Sequence, residues 1–145
     1  MSIIFRKFED GAWKIVERNG YWYDIDGYKV ELFRTQTLLE ILGGSLSRLY
    51  GWERREPIAF PRPMFRVEGH TVPGRSAMNN RDNLGHYRYY SRRQLELIRD
   101  VLKNYPEIPM CRKTFRLDSF FQEIRGRFYK VDIEARKQQE KTNGA

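Results

Sequence analysis

The sequence predicts an α+β protein with N-terminal antiparallel strands, a pair of short helices in the middle and further helices toward the C-terminus. Three observations predict it. Short β-rich runs are separated by Asn19-Gly20 and Asp26-Gly27, dipeptides that favour two-residue hairpin turns. Apolar residues at helical spacing begin after residue 35 and stop at Gly43-Gly44, where positive φ costs little. Beyond residue 90, two stretches again place their apolar residues on one helical face.

The runs "WKIVER", "YWYDI" and "YKVELF" make a small β-meander over residues 13–33. Its Trp13, Tyr21, Trp22, Tyr23 and Tyr28 are expected to pack, a stacking platform for single-stranded nucleic acid being the competing use. Helical signals follow. Thr37 to Glu40 has the spacing of a capping box, and Thr35 is the competing cap. This first helix would bury Leu38, Leu39, Ile41 and Leu42. Ser45 can cap a second helix that runs to about Arg55 and is stopped by Pro57. Its Leu46, Leu49 and Trp52 would face the first helix, leaving Ser47, Arg48, Tyr50, Gly51, Arg54 and Arg55 outside. Two short helices on a tight glycine turn make a helix-turn-helix.

A long irregular stretch rich in Gly, Pro, Asn and Arg then runs from Pro57 to Arg88. "SRRQLELIRDVLKNY" gives the next helix, with Ser91 as cap, Leu95, Ile98, Val101 and Leu102 as its stripe and Tyr105 as its end. A further helix would carry Leu117, Phe120, Phe121 and Ile124 on one face, and residues 133–141 are helix-permissive before the chain frays into "TNGA". The expected organisation is a meander over 1–33, a central domain over 34–105 and a helical extension over 106–145.

Composition narrows the function. At 145 residues, with 40% hydrophobic and 14% aromatic side chains, the chain suits one domain with a packed core. Cys111 is the single cysteine, so a reducing compartment is expected, and no apolar run is long enough to span a membrane. The N-terminal stretch carries no secretory pattern, so a cytoplasmic protein is expected. His70 and His86 are far apart in sequence and no CxxC or HExxH spacing occurs, so neither metal, cofactor nor catalysis is expected. Cys111 beside Arg112 and Lys113 would have a lowered thiol pKa, yet no catalytic partner for it can be named. The net charge of +8 is concentrated: residues 45–93 hold 10 arginines, no lysine and 4 acidic residues. Arginine's planar fork suits phosphates and guanine edges.

The run "TQTLLEILGGSLSRLYGWERREPIAFP" resembles the start of a MerR-type winged helix-turn-helix domain. Ser45 after the glycines, Leu49, Trp52-Glu53 and Pro57 stand in the family's order, and "RYYSRRQLELIRDVL" resembles the phrase that leads from the family's wing into its next helix. The resemblance covers residues 33–103. It implies a winged helix-turn-helix core, here with an enlarged wing, of the kind found in excisionases and small phage DNA-packaging subunits. Tyr50 stands where the family's helix carries an arginine, leaving Arg48, Arg54 and Arg55 to meet phosphates. The family's C-terminal coiled-coil dimer is not expected, because sustained heptads are absent.

The function expected is sequence-specific binding of double-stranded DNA by a nucleoid-associated phage or mobile-element factor serving transcription, recombination or packaging. Ser47 and Arg48, in the first turn of the second helix, would read base edges in the major groove. Tyr50, Arg54 and Arg55 would meet the backbone, and Arg75, Arg81 and Arg88 on the wing an adjacent minor groove. A homodimer or a host or phage protein partner is compatible with this reading. Two alternatives stand beside it: a protein-interaction module, for example on RNA polymerase, with only non-specific nucleic-acid binding, and an RNA binder using the aromatic meander.

Overall fold

Alternation at the N-terminus starts the fold. In β1 (Ser2–Glu9) Ile3 and Phe5 point into the core while Ile4 and Arg6 point out. β2 (Ala12–Asn19) pairs with it antiparallel, Glu9 opposite Ala12. The connection is Asp10-Gly11, with φ of 53° and 76°, the double positive φ of a type I′ turn. The computed structural model describes residues 2–25, 27–63, 88–110, 116–133 and 137.

The chain then changes sheet. β3 (Tyr21–Ile25) pairs with β4 (Tyr28–Arg34), and β4 with β5 (Tyr89–Ser91), in a three-stranded antiparallel sheet separate from β1–β2. The antiparallel N-terminal strands are therefore present, but their pairing differs from the expected meander. The hairpin turn expected at Asn19-Gly20 is the crossing between two sheets, and the first strand, with its Asp10-Gly11 turn, lies before residue 13. Gly20 is needed there for space: a Cβ would stand 2.7 Å from Glu31 Cγ and 2.9 Å from both the Leu32 carbonyl oxygen and the Phe33 ring. The turn between Ile25 and Tyr28 is as expected. Trp22 is 62% exposed and Tyr21 and Trp13 are also open to solvent, which corrects their assignment to packing. Of β3, Tyr23 meets the small second cluster, where it and Val30 of β4 cover Leu32 and Tyr89.

β4 runs directly into α1 (Thr35–Leu42). Neither expected cap operates: the Thr35 hydroxyl donates to the Arg88 carbonyl at 3.1 Å, and Glu40 is taken by Arg18 of β2 in a two-pronged pair at 2.7 and 3.0 Å. Leu38, Ile41 and Leu42 are buried and Leu39 half-buried. Gly43, at φ 69°, ends the helix with its N–H donating to Leu39 O at 2.8 Å. Ser45 caps α2 (Leu46–Glu53) as expected, its hydroxyl accepting from the Arg48 N–H, and the helix stops at Glu53, short of Arg55.

Leu46 is 38% exposed, contrary to expectation. As the first helical residue it leans back past the helix start, since side chains tilt toward the N-terminus. The Trp52 ring meets Phe60 and Phe121 at 6.0 and 5.2 Å, in one cluster with Leu38, Ile41 and Leu42 of α1. α3 (Arg92–Leu102) opens with a complete Ser91–Gln94 capping box and buries Leu95, Ile98 and Leu102. α4 (Leu117–Arg125) buries Phe120, Phe121 and Ile124. One cluster gathers side chains from β1, β4, both central helices, α3 and α4.

Trp52→Ala should destabilise the protein by about 3–5 kcal/mol, the usual cost of emptying a buried aromatic site. Urea denaturation followed by circular dichroism checks this; a midpoint equal to the parent's would mean that the aromatic cluster does not hold α2.

Candidate nucleic-acid interface

α2 is fixed from behind and open in front. Leu49 and Trp52 anchor it in the core, while Ser47, Gly51 and Arg54 are exposed and Tyr50 is half-buried. The residues expected to bind nucleic acid divide into those that remain open and those already engaged.

Arg48 is engaged. Its Nη1 donates to the carbonyl oxygens of Gly43 at 2.7 Å and Ile108 at 3.4 Å, and its guanidinium stands 4.5 Å from the Trp52 ring centre. It satisfies a carbonyl left over at the end of α1 and ties it to the segment after α3. Arg55 is engaged too: it pairs with Asp118 of α4, donates to Ile58 O at 3.3 Å and lies over the Phe121 ring. Arg88 pairs with Glu53, whose side chain is 4% exposed, and stacks 4.8 Å from the Tyr50 ring centre. That pair joins the end of α2 to the start of β5 and orients Tyr50. Arg75 and Arg81, and the enlarged wing to which they were assigned, lie outside the described residues, as do His70, His86 and Cys111.

The electrostatics centre on Glu53. Burial lifts its carboxyl above the ordinary range, and Arg88, then Arg62 and Arg54, oppose that rise. Arg62 and Arg54 are both exposed and form no ion pair among the described residues, so two guanidinium groups lie within electrostatic reach of the end of α2. Beside them, the Tyr129 hydroxyl donates to Arg62 O at 2.8 Å and Arg125 Nη1 donates to Ala59 O at 3.0 Å. The Arg88 Nε and Tyr90 Oη atoms are buried without a hydrogen-bond partner among the described residues. Burial raises the Tyr90 phenol, so it stays neutral beside Arg88.

The open set is therefore Ser47, Tyr50 and Arg54 on α2, extended by Arg62; Arg125, at the end of α4, is exposed beside them but already donates to Ala59 O. Arg62 and Arg125 were missed by sequence reasoning. "FPRP" offered a signal for Arg62, because flanking prolines hold an arginine on an extended chain. Arg125 follows only from where α4 docks. Hydroxyls and a half-buried aromatic beside exposed guanidinium groups suit a polar, anionic partner, and no group of three His, Cys, Asp or Glu side chains suited to a metal occurs among the described residues.

Arg88→Met should cost about 3–5 kcal/mol, because it strands a buried carboxylate, whereas Glu53→Gln combined with Arg88→Met should cost clearly less. Denaturation of the two single variants and the double variant measures this; additive losses would show that the pair is not coupled.

No protein-family model, curated protein or solved structure matches this chain.

Proposed function

We propose that the chain is a sequence-specific double-stranded DNA-binding protein of the MerR-like winged helix-turn-helix kind, with α2 entering the major groove. The observation that carries this reading is α2 itself, a capped helix after a glycine turn, anchored by Leu49 and Trp52 and presenting Ser47, Tyr50 and Arg54 outward. In this reading Ser47 and Tyr50 meet base edges, Arg54 and Arg62 meet phosphates, and Arg48, Arg55 and Arg88 hold the scaffold. The wing, with Arg75 and Arg81, reaches the neighbouring groove. The biological role proposed is a phage or mobile-element factor, acting in the cytoplasm on transcription, recombination or packaging, without catalysis. A second reading, single-stranded RNA or DNA binding on the sheet, is favoured by one observation: Tyr21 and Trp22 of β3 are both exposed, on opposite faces of the strand, and Arg34 stands 5.2 Å from the Tyr21 ring centre.

Selection from a random duplex library, followed by anisotropy titrations of the selected duplex, a scrambled duplex and single strands, tests both. Arg54→Ala should weaken both duplexes alike and lower the salt slope by about one. Ser47→Ala and Tyr50→Ala should each cost about 1–3 kcal/mol on the selected duplex and lower its preference over the scrambled one. Tighter binding of single strands, lost in Trp22→Ala, would replace the first reading by the second.

A further inference from the structure

A groove of about 550 Å³ is lined by the β1–β2 hairpin and the end of α3, and no residue of α2 lines it. Phe5, Ile41 and Leu102, all nearly inaccessible, contribute its apolar lining. Trp13 and Ile15 of β2 and Ile4 of β1 line it from the hairpin, and Pro106 and Pro109 from the segment after α3. Ile15 is 80% exposed and Ile4 53% exposed, although Val16, the neighbour of Ile15, does that part of β2's packing on the core. Large aliphatic side chains held in water beside a concave apolar surface mark a binding surface better than a packing one.

Among the described residues, the charged side chains lining the groove are all cations: Arg6, Arg99 and Lys103. Arg6 stands 5.0 Å from the Trp13 ring centre. Arg99 is held by Ile4 O at 3.0 Å and by Asp100, to which Lys103 also pairs at 3.6 Å. Arg6 forms no ion pair among the described residues and Lys103 remains largely exposed. The volume falls within the roughly 300–1,000 Å³ typical of small-molecule sites, and an apolar lining with a few charges at its edge is their usual construction.

We infer that this groove binds a small amphipathic anion: an alkyl or aryl body seated against Phe5, Ile41, Leu102 and Trp13, with a terminal carboxylate between Arg6 and Lys103. The inference stands apart from the DNA reading, since the groove shares no residue with the open face of α2.

Decanoate is the probe, with 1-decanol and decyltrimethylammonium as neutral and cationic counterparts, followed by two-dimensional NMR of the full chain. Decanoate should shift the Trp13 indole and the Ile15 and Lys103 signals saturably, binding about tenfold or more tighter than either counterpart. Arg6→Glu with Lys103→Glu should weaken decanoate by about tenfold or more. Ile15→Glu, at an exposed position that spares folding, should also weaken decanoate and supports the test if the double variant does not fold. Absent or unsaturable shifts, equal binding of the cationic probe, or undiminished binding by Ile15→Glu would overturn the inference.

Discussion

The guanidinium of Arg48 joins parts of the chain that no local rule would bring together. It reaches back to the carbonyl oxygen of Gly43, across to that of Ile108, and lies over the Trp52 ring. The space is tight: a Cβ on Gly43 would stand 2.5 Å from Pro109 O, so only glycine lets the segment after α3 sit on the turn between α1 and α2. The orientation of α2, and with it everything its outer side presents, depends on this junction. Burial of Leu49 and Trp52 supplies the hydrophobic stabilisation, while the hydrogen bonds fix which way the helix points.

The same economy governs the other arginines. The arginines concentrated in the middle third suit phosphates and base edges, yet Arg55, Arg88 and Arg92 each hold an acidic side chain of another element: Asp118, Glu53 and Glu31. A planar fork that stays charged when partly buried is well suited to such joints. What remains for an outside partner is a smaller set, Arg54 and Arg62 with Arg125 nearby, on a scaffold its own arginines have stiffened.

Local chemistry was legible and distant pairing was not. The turn before Tyr28, the glycine stop at Gly43, the Ser45 and Ser91 caps and the Phe120–Phe121–Ile124 face all depend on residues within a turn or two of each other. The first strand was hidden because charges interrupt "IIFRKFED", although Ile3 and Phe5 keep the alternation and Asp10-Gly11 makes the turn. Asn19-Gly20 misled, since the same dipeptide serves a hairpin turn or a crossing where a side chain has no room. Of the candidate site, the capped helix and its open Ser47, Tyr50 and Arg54 were visible. The engagement of Arg48 was not, because Ile108 lies 60 residues away.

The pair between Glu53 and Arg88 also has a bearing on how this chain can change over evolutionary time. Residues 64–87 enter from a stretch fastened by Tyr129 and Arg125 and leave at a residue fastened to α2. The described residues on either side of that segment are thus held by the folded body. Because losing either member of the Glu53–Arg88 pair leaves the other stranded in a buried place, changes at these two positions are expected to occur together.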